Sequence, residues 1–355
     1  MYLRNCWYVA GWNYEFEAGA LTARTLLNEP IVFYRKADGG WVALADRCLH
    51  RFAPLSRGRL EGDDLRCLYH GLKFAPDGRC IEIPGQDAVP ETACLKRYPV
   101  AEKHSWVWVW MGDPALADED LIPPAIGLDD PAWTFGSGQL DYEANYRLIN
   151  DNLLDFTHLT YVHANSFGAG PEWAYTRPNI TRLDRGVRVE RWVEQPNSVK
   201  SRPAMRPDEA DGYTAYDFLL PGVLLMRSAS YPKGTAAALD RKPPPADMAP
   251  LTQTFTSQAV TPITDETSRY FFSWGPPAGE GSRELADTLM GIAGQAFAED
   301  KAIIEAQAAV IRRTGEAGMM ATTADAALFQ FRRIMDRLIA AEAEPARSLA
   351  AVTDR

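Results

Sequence analysis

Histidine and cysteine are scarce in this chain, five of each in 355 residues. An odd cysteine count argues against a closed disulfide framework, and a reducing compartment leaves such thiols for metal or redox work. Positive charge is also short: 37 Lys and Arg against 47 Asp and Glu give a net charge of −10. Phosphate binding needs clustered cations, so no nucleic-acid surface is expected. No apolar run reaches the ~18 residues of a bilayer-spanning helix, and residues 1–10 lack a basic segment followed by an apolar core. Neither a membrane span nor a leader is expected, which places the protein in the cytoplasm. A Gly-rich dinucleotide fingerprint is missing too, so no dinucleotide site is expected in this chain.

What is present changes character along the chain. Up to about residue 112, β-branched and aromatic runs at 31–34, 41–45, 65–68 and 106–110 alternate with turn formers such as Asp38-Gly39-Gly40 and Pro76-Asp77-Gly78, which predicts a small β domain. Trp106, Trp108 and Trp110 share one strand face and read as sheet core. The acidic, proline-bearing stretch 112–124 is the candidate linker, which divides the chain into domains 1–115 and 116–355. The second domain mixes helix and strand: a helix over 148–162, strands at 179–194, 213–228, 252–262 and 268–274, loops at 195–212 and 241–250, and helices at 282–313 and 323–343. The expected class is α+β, with loops long enough to cover a site.

Two groups of residues carry chemistry. The first is Cys48-Leu49-His50 and, sixteen residues on, Cys67-Leu68-Tyr69-His70. A zinc finger offers a Cys pair and then a His pair, whereas here each arm brings one thiolate and one imidazole. Two such arms can hold two irons, both Cys on one and both His on the other, the ligand set of a Rieske [2Fe–2S] centre. A structural zinc site is the alternative.

The second group is the segment from Asn152 to His163. On a helix Asp151 or Asn152, Asp155 and His158 form one polar stripe on an otherwise apolar segment, and a hydrogen-bonded Asp155–His158 pair is the plain reading. His163 cannot share that face on a straight helix but can converge with His158 where the helix ends or distorts. A 2-His-1-carboxylate iron site needs one more acid. In the helix at 282–313, Leu289, Ile292, Ala293, Ala296, Phe297, Ile303, Ile304 and Gln307 mark the buried stripe, so Asp300 points inward and Glu299 outward. A salt bridge to a buried Arg is the competing account of Asp300.

With both groups in place the chain resembles the Rieske non-haem iron oxygenases, in particular their aromatic O-demethylase branch. The likeness runs through Arg4-Asn5-Cys6-Trp7-Tyr8-Val9-Ala10, Cys48-Leu49-His50-Arg51, Tyr69-His70-Gly71, Trp108-Val109-Trp110-Met111-Gly112-Asp113-Pro114, the Asn152 to His163 segment and Phe297-Ala298-Glu299-Asp300-Lys301. It implies an N-terminal all-β Rieske domain before a helix-grip-like catalytic domain, an antiparallel sheet with helices. It further implies that Cys48, His50, Cys67 and His70 hold the cluster and that His158, His163 and Asp300 hold a mononuclear Fe(II). A head-to-tail homotrimer is implied as well, with Asp155 bridging a neighbour's His70 to its own His158 as the electron path. Electrons would come from NAD(P)H through a separate reductase or ferredoxin, and O2 would be the co-substrate.

The reaction implied is hydroxylation of a small aromatic substrate, foremost O-demethylation of a methoxylated aromatic acid with release of formaldehyde. Ring dihydroxylation and methyl hydroxylation of another aromatic acid use the same ligands, and a Rieske electron-transfer protein would need only the first group. In the substrate pocket, Gln258 falls where a dicamba-degrading relative carries a histidine toward the acid group, and Asn152 stands beside the metal segment. Arg227, the one charge in the apolar run 223–228, is the candidate anion partner; pairing to an acid or emergence at a strand end is the other reading. Cys6, Cys80, Cys94 and His104 have no partner at ligand spacing and read as structural.

Overall fold

A computed structural model describes residues 1–164, 166, 169–194, 210–279, 281, 283–315 and 318–343. The N-terminal part is all-β. Ten short strands form three small antiparallel sheets: β1 (Trp7–Trp12), β9 (Val100–Lys103) and β10 (Trp106–Trp110) in the order β1-β10-β9; β2 (Thr22–Leu26), β3 (Glu29–Arg35) and β4 (Trp41–Ala45) in chain order; and β5 (Arg59–Glu61), β6 (Asp64–Arg66), β7 (Lys73–Phe74) and β8 (Cys80–Glu82) likewise. The expected strand 65–68 is shorter than anticipated, because Cys67 and Leu68 already belong to a turn.

The C-terminal part is, among the described residues, one seven-stranded antiparallel sheet with helices. Its strands are β11 (Gly136–Tyr142), β12 (Asn179–Leu183), β13 (Gly186–Val193), β14 (Ala210–Leu219), β15 (Val223–Pro232), β16 (Thr252–Pro262) and β17 (Ser268–Gly275), in the order β11-β17-β16-β15-β14-β13-β12. Two runs expected as single strands are hairpins, broken at Asp184-Arg185 and at Leu220-Pro221-Gly222. Apolar continuity hid the second turn, since β14 and β15 are buried over much of their length, whereas the first, at Asp184-Arg185, follows the largely exposed β12. The expected loop 241–250 is a loop, 210–212 belong to β14, and 195–209 lie outside the described residues. The helices are α1 (Tyr146–Leu154), α2 (Glu172–Tyr175), α3 (Thr235–Ala238), α4 (Arg283–Thr314) and α5 (Ala326–Ala343).

Alternation along the strands assigns each sheet face a partner. Val223 and Leu225 on β15, Ala259 on β16 and Phe271 on β17 pack against Trp7, Trp12, Trp106, Trp108 and Trp110. The three Trp of β10 are at most 1% exposed, so that stripe is core, as its spacing predicts. The opposite face carries Tyr216, Phe218, Leu224, Phe272 and Trp274 under Leu289, Ala293 and Phe297 of α4. At Gly138 of β11 an added Cβ would lie 2.6 Å from the Phe272 ring, so a glycine is needed for that ring to lie across the strand. The stretch 112–124 is not a loose connection. It forms two 3-10 turns, receives a hydrogen bond from Trp7 Nε1 at the Asp118 carbonyl, and buries Ile122 against the tryptophans.

Candidate metal centres

The two Cys-His arms fold into the same turn. Cys48 N–H donates to Ala53 O and Cys48 O accepts from Phe52 N–H; Cys67 N–H donates to Leu72 O and Cys67 O accepts from Gly71 N–H, all at 2.9 to 3.0 Å. The residue four after each Cys is left-handed, Phe52 at φ 59° and Gly71 at φ 78°. Both thiols are buried while His50 and His70 are exposed. The two imidazoles pack edge to face with centroids 4.4 Å apart. Burial pushes the Cys48 thiol up to about 11, with the adjacent Cys67 adding to the shift. Two facing thiols beneath two facing imidazoles suit a binuclear cluster with one iron on each pair.

The second site starts from a broken helix. Asn145 caps α1 by accepting from Arg147 N–H, and the helix ends at Asp155, whose φ of −131° is extended. The Asp155 carboxylate accepts from Thr157 N–H at 2.8 Å and so begins a new turn, Phe156–Thr160. The expected continuous helix over 148–162 is therefore interrupted at the position that lets His158 and His163 converge. Competition by a short acidic side chain for backbone N–H groups is the physical reason.

Three ligand atoms meet there. Asp300 Oδ1 lies 3.5 Å from His158 Nε2 and 3.2 Å from His163 Nε2, and one atom from each of the three residues lies within 4.8 Å of the others. The other ring nitrogens are engaged: His158 Nδ1 at 2.5 Å from the Asp155 carbonyl and His163 Nδ1 at 2.9 Å from Glu299 Oε2. Each contact demands N–H at Nδ1, because a carbonyl or carboxylate only accepts, and the lone pairs are left at Nε2 facing a carboxylate. Asp300 is 5% exposed, and Asn152 Nδ2 donates to its Oδ1 at 3.0 Å. Burial lowers the His158 pKa against the pull of Asp300. For His163 burial acts the same way, but the hydrogen bonds and charges of Asp300 and Glu299 outweigh it and raise the pKa. Two imidazole lone pairs and a carboxylate with open directions around them fit a non-haem iron.

Glu299 corrects the sequence reading. Instead of pointing to solvent it accepts from His163 Nδ1 and, at 2.6 Å, from Ser166 Oγ. Consecutive residues on a helix are ~100° apart, so Glu299 and Asp300 reach opposite nitrogens of one ring, and only the path of the loop after α1 reveals this. Its neighbours Ile303, 52% exposed, and Gln307, also exposed, leave the expected apolar stripe, while Ala286 and Ala308 join it. Asp151 is not part of the site; it forms an ion pair with Arg332 of α5.

Beside the triad opens a cavity lined by Phe156, Leu159, Trp173, Phe272 and Phe297 together with polar Thr214, Ser228, Thr256 and Gln258. Gln258 is buried, accepts from Tyr270 OH at 2.6 Å and donates to Thr256 Oγ1 at 3.1 Å. Arg227 does not reach this space. Met226 and Ser228 line the cavity, so alternation sends Arg227 to the opposite face, where it is exposed. Of the spare residues, Cys6 and Cys80 are buried thiols and Cys94 is exposed.

Comparison with known proteins agrees with this arrangement. Residues 6–99 match the Rieske [2Fe-2S] domain, and residues 142–341 match the vanillate O-demethylase oxygenase C-terminal domain. The chain is 42% identical to the iron-sulfur subunit of a toluene-4-sulfonate monooxygenase system from Comamonas testosteroni, over 96% of this chain and 98% of the relative. It is 34% identical to a vanillate O-demethylase oxygenase subunit from a Pseudomonas species, over 98% and 97%. A solved structure of dicamba monooxygenase with non-heme iron and dicamba superposes with a TM-score of 0.77 at 28% identity, covering 96% of this chain and 98% of that one.

Proposed function

From the premise that the chain belongs to the Rieske oxygenase components with a vanillate O-demethylase type C-terminal domain, we propose that it oxidises the methyl carbon of a small aromatic acid, whether that methyl sits on the ring or on a methoxy oxygen. The protein is an oxygenase component, an oxidoreductase with a [2Fe–2S] cluster and a mononuclear non-haem iron, and it works with a reductase partner. The balance for a ring methyl is Ar–CH3 + O2 + 2 e− + 2 H+ → Ar–CH2OH + H2O. For a methoxy group the same insertion ends in a phenol and formaldehyde.

The observation that carries the proposal is the triad of His158, His163 and Asp300 at the wall of an apolar cavity. In this reading those three residues hold the iron, and Cys48, His50, Cys67 and His70 hold the cluster. When bound, the two groups supply electrons and activate O2. The chain's own residues do the rest. The Asp155 carbonyl and Glu299 fix the tautomer and orientation of the two imidazoles, and Asn152 holds Asp300. Phe156, Phe272 and Phe297 line the cavity with apolar rings that exclude water.

The proposal includes domains 1–115 and 116–355, a cytoplasmic location, and a head-to-tail trimer in which Asp155 stands between a neighbour's His70 and its own His158. Supporting this assembly, His50 and His70 are exposed among the exposed side chains Leu49, Phe52, Leu68 and Tyr69, and Asp155 is bonded to His158 through its backbone.

The deciding experiment is anaerobic purification with iron and sulfide analysis, followed by O2 uptake and product assays with a reductase over toluene-4-sulfonate, 4-methylbenzoate, vanillate and unmethylated arene acids. Methyl-dependent O2 uptake with benzylic alcohol or formaldehyde as product is expected. A colourless, iron-free protein, or uptake indifferent to the methyl group, refutes the reading. Asp155→Asn retaining near-normal coupling of reductant to product, or an active monomer, refutes the trimer path.

A further inference from the structure

We infer that Arg191, with the hydroxyls of Thr214 and Ser228, forms the subsite that receives the anionic group of the substrate, a sulfonate or carboxylate on a small arene. The inference rests on the reading of the cavity as the substrate pocket.

Register places these residues together. Arg191 on β13 stands directly opposite Thr214 on β14, which stands directly opposite Ser228 on β15. Opposed residues of an antiparallel pair project to the same face with Cβ atoms ~5 Å apart, so the three form one row across the sheet. Thr214 and Ser228 line the cavity, which puts Arg191 on the cavity side at the end of the row. The same parity puts Val189 and Val187 of β13 in the core beneath the helices.

The chemistry of the row is unsatisfied. Arg191 is 7% exposed, and among the described residues no carboxylate lies within ion-pair distance of it. One guanidinium N–H donates to the Trp173 carbonyl at 3.0 Å, and the Trp173 ring lies 5.5 Å from the guanidinium carbon. The Nε–H makes no hydrogen bond. A buried cation without a carboxylate in contact is costly, the charge of Asp155 acts on it only through space, and Arg cannot shed its proton to escape that cost. Neither hydroxyl of Thr214 and Ser228 has a hydrogen-bond partner among the described residues. Two free hydroxyls therefore line one end of an aromatic-walled cavity, and the Arg191 fork, with a spare N–H, follows them in the row behind Trp173, whereas Gln258 and Thr256 further along are bonded to Tyr270 and to each other. An oxyanion with two or three acceptor oxygens satisfies all of these donors at once. Trp173, which both lines the cavity and covers the guanidinium, would form the aromatic wall beside the bound anion.

The test measures binding rather than turnover. Resting holoenzyme under anaerobic conditions is titrated calorimetrically with toluene-4-sulfonate, 4-methylbenzoate and neutral 4-methylanisole. The wild type is expected to prefer the anions over the neutral ring by at least tenfold. Arg191→Gln should lower that preference ratio by 10- to 100-fold, and Arg191→Lys should recover part of it. If Arg191→Gln does not fold, Thr214→Val combined with Ser228→Ala, which keeps the cation, should lower the ratio three- to tenfold. A wild type without anion preference, or variants whose ratio is unchanged, overturns the inference. If the variants behave as stated while no arene supports O2 uptake, the subsite stands and the monooxygenase reading falls.

Discussion

Removing the Glu299 carboxylate should loosen the mononuclear iron without touching any of its ligands. Glu299 Oε2 takes hydrogen bonds from His163 Nδ1 at 2.9 Å and Ser166 Oγ at 2.6 Å. A hydrogen bond to a charged group contributes about 1.5–3 kcal/mol, and loss of the partner that orients a metal-bound imidazole costs 10- to 100-fold in metal affinity. The Glu299 side chain is 26% exposed, so water replaces part of what is lost and the lower half of that range applies, roughly 10- to 30-fold for Glu299→Ala. Glu299→Gln keeps an acceptor for Nδ1–H and should cost less than Ala. Ser166→Ala, which removes one donor to the carboxylate, should cost only two- to threefold. The assay is anaerobic loading with Fe(II), competition against a chelator, and iron counted in excess of that matched by acid-labile sulfide. If Glu299→Ala holds this iron as tightly as the wild type while His163→Ala loses it, the claim that Glu299 supports the site is wrong.

Other outcomes follow from single contacts. Arg227→Leu should leave substrate affinity within twofold, because the side chain is exposed on the far face of β15; a tenfold loss would contradict that placement. Asp151→Asn breaks the pair with Arg332 and should cost about 1 kcal/mol, given its partial exposure, seen as a melting temperature ~2–4 °C lower at unchanged iron content. Gly71→Ala forces a Cβ into a left-handed residue and to 2.8 Å from Pro84. The expected penalty is ~1–2 kcal/mol, and the visible absorbance of the [2Fe–2S] cluster should bleach at lower temperature than that of the wild type. Gln258→Leu leaves the buried Tyr270 hydroxyl without its acceptor and should destabilise the catalytic domain by ~1–3 kcal/mol.

Both groups of candidate ligands could be picked out of the sequence, and the structure brings the members of each together, because metal chemistry constrains residue type more tightly than packing does. Five His and five Cys leave few ways to build two metal sites, and an Asp in an apolar helical stripe is costly enough to stand out. Residues that act through the ligands were harder to see. Glu299 lies next to Asp300 on α4, and helical geometry alone sends it elsewhere; only the loop that brings His163 and Ser166 to that flank makes it functional. Arg227 and Arg191 illustrate the reverse problem. Each is a charge in an apolar strand, and which one meets the cavity depends on the parity of its strand. Reading 213–228 as one strand concealed the β14–β15 turn and with it the face to which Arg227 points. The continuous helix over 148–162 failed for a local reason, since the Asp155 side chain competes for the backbone donors of the next turn.

The alternation that separates Arg191 from Arg227 also makes the cavity a graduated scale. Its polar side chains occupy successive rows on one face of the sheet, Thr214–Ser228 and then Thr256 and Gln258 further along the strands. Each row is two residues, or ~7 Å, from the next. If an anion is seated on one row, the carbon that meets the iron is chosen by a whole number of rows. Moving the hydroxyl pair from 214 and 228 to 216 and 226 would shift the bound ring by about its own length. Positional selectivity in such a sheet changes in steps, and an intermediate-sized substrate would bind in one register or the next.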